Sequence, residues 1–429
     1  MESKLNFIFK STSLHGFKHM SLNKDTKLWK KCFARTFWTT FIALSVGFMI
    51  HILRTSLGSL NSTSINLDIN YRDWVNAFPG ISICLNKGLA TTPIKKYLQN
   101  VTSGSVPLSI VRTYQSLLFL NRFNPSEGIK IEDFVDFNKI HTVNITSLKE
   151  SFLPQSCNDF MKSVKFLGKQ IPCDKAFVKH ETEIGTCFIA NGMRDNLEDY
   201  QGLPLTYKNN QPVERSLVIK YIESKFWSYK LYTHPPEERP NEMMEPIVLR
   251  KSETQTFIGL KTIEILNDEN IKHESIAARN CRYPFEKFED FDMPYSLANC
   301  VHLKKMKLEL NECGCTLPIG DLELLKRKKI NLCDVEKFKC IEEFTKVLKL
   351  NFKKHIEECL IPSCPSMEIT KIAEYSEKVD NEPVGVLKIE IMAKPSLRQR
   401  RSNCKMTKNL SITSNPQEPY PSTYTNIAE

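Results

Sequence analysis

One segment of this chain is apolar and long enough to cross a lipid bilayer, and it restricts how the rest can fold. It runs from Thr36 to Leu53 with the sequence TFWTTFIALSVGFMIHIL, and its 18 residues include no Lys, Arg, Asp or Glu. As a helix the segment is about 27 Å long, close to the thickness of the hydrocarbon core of a bilayer. We therefore predict a transmembrane helix at residues 36–54.

The charges that flank the apolar segment predict its orientation. Residues 1–35 form a basic arm that ends in Arg35, whereas only Arg54 and Arg72 follow the segment closely. Because basic flanks stay in the cytosol, we expect a plasma-membrane protein with a cytosolic N-terminus and most of the chain outside the cell. A buried core helix and a cleaved signal peptide are the alternatives, and a start at residue 36 favours an uncleaved anchor over a signal peptide.

The cysteines agree with an extracellular location for the larger part of the chain. Thirteen of the 14 cysteines follow the apolar segment, and eight of these lie between Cys281 and Cys364. Such a density is typical of a region held by disulfides in an oxidising compartment. Sequons for N-glycosylation at Asn61, Asn100 and Asn144 lie on the same side of the segment.

Other functions are disfavoured by spacing, charge and motifs. Cys313, Cys315, Cys333 and Cys340 could hold zinc, but one residue between Cys313 and Cys315 is shorter than the spacing in structural zinc sites. The net charge of +10 comes from basic residues spread among nearly as many acids, so we expect no nucleic-acid binding. Hydrolase and phosphate-loop motifs are absent from the sequence, and we expect neither an enzyme nor a bound metal or cofactor.

Alternation of apolar and polar residues predicts several strands. It occurs in residues 215–234, 253–268 and 384–392, and a short strand is predicted to end at Cys84. Residues 88–190 are too mixed and too rich in turn-forming residues for us to assign elements there.

Spacings of three and four residues predict helices in the second half of the chain. A short helix is predicted from Ser296 to Leu310, and an amphipathic helix from Phe338 to Ile356. Together with the strands, this indicates an α+β fold with a disulfide-rich domain and one membrane anchor.

Seven short motifs occur in a characteristic order. They are SLHGFKHM before the apolar segment, FPGISICLNKG after it, CDKAFVKHETEIGTCFIANG at 173–192, ARNCRYPFE at 278–286, PYSLANC at 294–300, ECGCTLP at 312–318 and CLIPSC at 359–364. In this order they resemble the degenerin/epithelial sodium channel family, and its arthropod pickpocket-type members in particular. The resemblance extends from Ser13 to about Pro395.

The resemblance implies a subunit of a trimeric, amiloride-sensitive sodium channel that is gated by a ligand or by mechanical force. Subunits of that family have two transmembrane helices and a hand-like ectodomain, in which a β-sheet forms the palm and helical regions form the thumb and fingers. The implied partners are sodium ions, the lipid bilayer and related subunits in a homo- or hetero-trimer.

The resemblance also implies roles for particular residues. His15 and Gly16 match the His-Gly pair of the cytosolic gating arm. The implied disulfides are Cys84 with Cys187, Cys157 with Cys173, Cys281 with Cys364, Cys300 with Cys359, Cys313 with Cys340, and Cys315 with Cys333. One further pair of the family is absent, because Lys304 stands where its first cysteine is expected.

Four residues are candidates for a contact that couples the ectodomain to the membrane span. They are Tyr71, Trp74, Tyr295 and Ser296. Structural packing is an equally good explanation for each of them.

The resemblance ends where a second membrane helix is expected. Residues 55–395 read as a cysteine-rich extracellular domain, whereas residues 396–429 read as a polar tail without a second span. In that tail Cys404 has no implied partner. We favour a sequence that ends before the second span of a full subunit; the alternative is a single-span, non-conducting surface protein that binds or regulates other channel subunits.

Overall fold

The computed structural model describes most of the chain between residues 28 and 403. The described residues are 28–59, 63–68, 74–88, 90–102, 104–119, 145–192, 205–210, 213–222, 224–241, 244–249, 254–286, 295–317, 328–333, 337, 340–341, 343–344, 356–364, 366–378, 384–392 and 398–403. The chain divides into two units: the long N-terminal helix belongs to the first, and Ile65–Ser402 form the second.

Helices and strands alternate along the described residues. The helices are α1 (Leu28–Ser59), α2 (Thr92–Thr102), α3 (Leu108–Phe119), α4 (Ile145–Phe152), α5 (Cys173–Ala176), α6 (Ile276–Arg279) and α7 (Leu297–Cys313), with 3₁₀ turns at Cys157–Asp159, Glu269–His273 and Glu357–Leu360. The strands are β1 (Thr63–Asp68), β2 (Val75–Ala77), β3 (Gly80–Lys87), β4 (Met161–Phe166), β5 (Lys169–Ile171), β6 (Phe177–Thr182), β7 (Gly185–Ala190), β8 (Thr206–Lys208), β9 (Ser216–Ile222), β10 (Trp227–His234), β11 (Ile247–Val248), β12 (Thr254–Asn267), β13 (Ser366–Lys378), β14 (Val384–Ile391) and β15 (Arg398–Asn403).

Helix α1 contains the apolar segment. Among the described helices it is the one long and apolar enough to cross a membrane, over Arg35–Thr55. Its hydroxyl side chains donate hydrogen bonds to carbonyl groups four residues earlier, as Thr39 does to Arg35 at 2.7 Å and Ser45 does to Phe41 at 2.9 Å. Because these bonds satisfy the hydroxyl groups within the helix, the threonine and serine residues of the segment do not prevent its burial in lipid.

The larger sheet contains eight strands and is built around β12. Its order is β1-β15-β12-β14-β9-β4-β5, and β13 pairs with β12 on the edge opposite β14. Strand β13 is antiparallel to residues 254–265 of β12, whereas β14 is parallel to residues 255–260 and β15 is parallel to residues 265–267. Three strands that come later in the sequence, β13, β14 and β15, therefore pair with β12.

A second sheet and three helices complete the main core. The five-stranded sheet has the order β11-β10-β3-β7-β6, and all its neighbouring strands are antiparallel. Helices α2, α3 and α4 contribute Ile94, Val111 and Leu148 to the same buried apolar cluster as Ile83 of β3 and Ile389 of β14. Each of these five side chains is almost fully buried, so the two sheets share one hydrophobic core with the helices.

Six disulfides hold the second unit. They join Cys84 to Cys187, Cys157 to Cys173, Cys281 to Cys364, Cys300 to Cys359, Cys313 to Cys340, and Cys315 to Cys333. These are the pairs that the family resemblance implies, and the four thiols considered above for zinc are bonded to one another. Two of the bonds fasten α7 directly, since Cys300 and Cys313 belong to that helix.

The predicted α+β fold is confirmed. Strands β9, β10, β12 and β14 lie within the segments predicted as strands, and Ser296 caps α7 at the predicted start of the short helix. Most of the amphipathic helix predicted from Phe338 to Ile356 lies outside the described residues. In the described part of residues 88–190, for which no element was predicted, there are three longer helices and four strands.

Strand β15 differs from the sequence prediction. It begins at Arg398 and so lies in the segment for which the sequence predicts a polar tail. The sequence signal is weak because three of its six residues are arginines, yet the strand joins the sheet through its backbone and through ion pairs with residues near the end of β12.

Candidate functional site around Arg398 and Tyr295

Arg398 at the start of β15 makes a cluster of contacts with β2 and β12. Its Nη2 atom donates to the Val75 carbonyl at 2.6 Å and to Asn76 Oδ1 at 2.9 Å, and lies 3.0 Å from Glu264 Oε2. The guanidinium carbon lies 4.4 Å from the centroid of the Trp74 ring, in cation–π geometry. One side chain therefore fastens two segments that are more than 300 positions apart in the chain.

The carboxylate of Glu264 balances the charge of Arg398 inside this cluster. It also accepts a hydrogen bond from the backbone N–H of Ala77 at 3.0 Å. Burial raises the pKa of Glu264, and the neighbouring Arg398 guanidinium opposes that shift by favouring the charged carboxylate. Because the two side chains are only 11% and 9% exposed, their attraction is screened less than that of a surface pair.

The remaining arginines of β15 have partners at the end of β12. Arg400 Nη1 lies 3.4 Å from Asp268 Oδ1, and Arg401 Nη1 donates to Asn267 Oδ1 at the same distance. The parallel register places Arg401 opposite Asn267. The basic run of β15 is thus matched by oxygen atoms from consecutive residues, which explains how it can form a strand of the sheet.

A second cluster lies at the N-terminus of α7. The Ser296 side chain accepts from the backbone N–H of Asn299 at 3.1 Å, and Glu238 accepts from those of Leu297 and Ala298, each at 2.9 Å. These three bonds satisfy N–H groups that a helix leaves without internal partners, and the negative charge suits the positive end of the helix dipole. Glu238 therefore fixes the start of α7 to the loop that follows β10.

Tyr295 joins the start of α7 to residues 359–361, which include Cys359 of the Cys300–Cys359 disulfide. Its hydroxyl donates to the carbonyl groups of Cys359, at 3.3 Å, and Ile361. The guanidinium carbon of Arg282 lies 4.9 Å from the centre of its ring. Tyr295 is 1% exposed, and burial raises its pKa to about 12, so the hydroxyl remains protonated as a donor.

The carboxyl group of Glu237 interacts electrostatically with one acidic residue of each cluster. Burial raises the pKa of its carboxyl group to about 7, and the negative charges of Glu238 and Glu264 add to the shift. Since Glu238 caps α7 and Glu264 pairs with Arg398, the charge of Glu237 acts on both clusters.

We expect Glu237→Gln to stabilise the protein at pH 8 more than at pH 5. Between its ordinary pKa of 4.5 and about 7, the folded state binds a proton more tightly than the unfolded state, so stability falls as pH rises through this window. Removal of the charge recovers at most about 3 kcal/mol. The measurement is the thermal unfolding midpoint of the full-length protein in detergent at both pH values.

Glu245, an exposed glutamate later in the sequence, provides the matched control. Glu245→Gln should change the midpoint little at either pH. An equal effect of Glu237→Gln at pH 5 and pH 8 would contradict the assignment of a raised pKa to Glu237.

The structure places the predicted coupling residues in separate clusters. The described contacts of Trp74 include Arg398, those of Tyr295 go to Arg282 and the 359–361 segment, and Ser296 caps α7. Tyr71, His15 and Gly16 lie outside the described residues, as do the sequons at Asn61 and Asn144. Asn100 is exposed on the last turn of α2.

Sequence reasoning missed Arg398, Glu264 and Glu238. Glu264 and Glu238 carry no motif, since a carboxylate in a strand or loop is ordinarily a surface residue. Arg398 lies in a basic run that resembles a solvated tail. The sequence contains one signal for an acceptor such as Glu238. Ser296 begins a helix, and the first N–H groups of a helix need hydrogen-bond acceptors from outside it.

Comparison with known proteins gives the family of the chain. The model of the amiloride-sensitive sodium channel family matches residues 8–413. The sodium channel protein Nach of Drosophila virilis is 22% identical over 235 residues, which cover 51% of this chain and 56% of that protein. The match thus spans little more than half the length of that relative. Since the family model covers nearly the whole sequence, this chain belongs to the amiloride-sensitive sodium channel family, a family of ion channels.

Proposed function

We propose that the chain is a subunit of a trimeric, amiloride-sensitive sodium channel of the plasma membrane, gated from outside the cell by a ligand or by mechanical force. The observation that carries the proposal is the family match over residues 8–413, in a chain with an apolar α1 and a disulfide-held second unit. Its implied partners are related subunits, identical or different.

The proposed topology has a cytosolic N-terminal arm and an extracellular second unit. It is supported by the basic residues before α1 and by disulfides in the second unit, which persist in oxidising compartments. The sequons at Asn61, Asn100 and Asn144 would carry glycans in this orientation, and His15 and Gly16 would act at the inner mouth of the pore.

Assembly into a trimer agrees with the character of α1. Its aromatic residues are exposed along one side, where the rings of Trp29, Phe33, Phe37 and Phe41 stack at 6.1 to 6.5 Å. A single helix cannot enclose an ion path, so conduction requires helices from several subunits. Lipid and neighbouring helices would then share the surface of α1.

The disulfides suit transmission of a signal to the membrane. Cys281–Cys364 and Cys300–Cys359 hold the segments that also carry Arg282 and Tyr295. Covalent links restrict the ways in which α7 can move relative to the loops around its start. A stimulus on this region would therefore displace it as a body instead of being absorbed locally.

The experiment is expression in oocytes, alone and together with a full-length relative from the same family. We expect an amiloride-sensitive sodium current, and changed amiloride affinity or ion selectivity in the co-assembled channel. Surface biotinylation measures how much of the chain reaches the membrane.

Two outcomes decide against the proposal. Surface-expressed chain that neither conducts nor changes the current of the relative would refute a channel subunit. If the chain changes the amount of current carried by the relative but not its selectivity or amiloride affinity, the result would instead support the alternative, a single-span, non-conducting protein that regulates other channel subunits.

A further inference from the structure

Strand β15 is in contact with β1 and with the β2 segment. In the larger sheet β1 and β15 are neighbours, and Arg398 of β15 binds the β2 segment. The strands β1 and β2 are the first two described after α1, and β2 begins at Val75. The first two strands described after α1 are therefore both in contact with a strand near the other end of the sequence.

The contacts of Arg398 need a guanidinium group. Its Nη2 atom reaches a backbone carbonyl, an amide oxygen and a carboxylate, while the planar guanidinium group lies over the Trp74 ring. The ammonium group of lysine could keep a charge beside Glu264, but it has no planar face to lie over the ring. Arg398 thus holds β2 by geometry as well as by charge.

The segment held by Arg398 has few other attachments to the larger sheet. Strand β2 pairs with β8 over three residues, in a two-stranded sheet of its own. Apart from Arg398, the described bond from β2 to β12 is that from Ala77 N–H to Glu264, and Glu264 is itself bound by Arg398. Loss of Arg398 would therefore weaken both links at once.

We propose that Arg398 is a positioning residue that holds the segment 74–77 against β15 and β12 in the closed channel, and that release of this segment accompanies opening. The gating part of the proposal rests on the proposed function of the chain as a channel subunit. The holding part rests only on the contacts described above and can be tested without ion conduction.

Hydrogen exchange of the purified full-length protein tests the holding part. We expect Arg398→Ala to accelerate exchange in residues 74–77 by about tenfold, because several hydrogen bonds and the balancing charge are lost together. Arg398→Lys keeps the charge beside Glu264 and guards against a simple failure to fold, and it should accelerate exchange in the same residues. Arg400→Ala is the matched control, since Arg400 lies on the same strand, is 41% exposed and pairs with Asp268.

Single-channel recording of the co-assembled channel tests the gating part. The Arg398 variants should raise the ratio of open to closed channels by about 5- to 150-fold, the range of typical coupling between sites, and Arg400→Ala should not. In the double variant Arg398→Ala/Glu264→Gln the effects should be smaller than the product of the single effects, because the two residues act through one contact.

The outcomes separate the two parts of the proposal. Unchanged exchange in residues 74–77 overturns the holding role, and faster exchange with an unchanged open probability overturns the gating role. If the wild-type chain gives no current in any combination, the proposed function has failed, and the role of Arg398 is then decided by hydrogen exchange alone.

Discussion

Replacement of both Cys84 and Cys187 by alanine is expected to lower the free energy of unfolding by about 2–5 kcal/mol and to prevent most of the chain from reaching the cell surface. The bond joins facing residues of β3 and β7 in the five-stranded sheet and closes a loop of 103 positions, the longest of the six. A cross-link over so long a loop removes many conformations from the unfolded chain. Both cysteines are at most 1% exposed, so their removal also weakens the core.

Two further variants make this experiment specific. Cys315→Ala/Cys333→Ala opens a loop of only 18 positions and should lower the thermal midpoint less. Cys32→Ala removes an exposed free thiol and should leave the midpoint of the full-length protein unchanged. Equal losses from the long and the short loop would show that loop length does not set the contribution of these disulfides.

Gly185→Ala is expected to destabilise the protein by about 2–6 kcal/mol, through backbone strain and steric overlap together. Gly185 begins β7 with a φ of +122°, a conformation that residues with a β-carbon rarely adopt. An added Cβ would also lie 2.7 Å from the carbonyl oxygen of Phe119, which is backbone and cannot rotate away. The measurements are the thermal midpoint and the surface-expressed fraction of the variant.

Gly168 provides the control for Gly185. It also has a positive φ, +77°, in the turn between β4 and β5, but no heavy atom lies within 4 Å of an added Cβ. Gly168→Ala should therefore cost only the conformational strain, about 1 kcal/mol. Similar losses at the two glycines would rule out the contact with Phe119 as the main cause.

The strands that sequence patterns predicted are those with one face in the core. In β14, Leu387 and Ile389 are fully buried and alternate with the half-buried Lys388 and Glu390, which is the pattern that a half-buried strand requires. In β12, Ile258 and Leu260 are fully buried as well, and Phe257 beside them is also buried. Strand β13 was missed because it pairs only with β12 among the described strands and is largely exposed. A register shift between Gly259 and Leu260 also interrupts the alternation of the strand opposite.

Helix α2 was missed although the sequence contained a signal for it. Pro93 lies in its first turn, where proline fits a helix, and Ile94 and Leu98 are one turn apart on its buried face. Helices α3 and α4 depend on packing against their neighbours in the shared core, and their short patterns were lost among the polar residues around them.

The candidate site was only partly predictable, for a different reason. The family resemblance implies the cysteine pairs, and the sequence offers Trp74, Tyr295 and Ser296 as candidates. Arg398, which lies over the Trp74 ring, is not predicted by the sequence, because the pairing of β15 with β12 brings it to this segment. No local pattern records a contact between residues so far apart in sequence.

The unequal pairing along β12 sets an order of mechanical failure. The strand is tied to β13 by twelve register pairs and to β14 by six, but to β15 by only three. Tension on the end of β15 would be borne by these three pairs, by the pairing of β15 with β1 and by the ion pairs of its arginines, so fewer backbone bonds join β15 to β12 than join β13 or β14 to it. Under such tension we expect the pairing of β15 with β12 to separate before the pairings of β12 with β13 and β14.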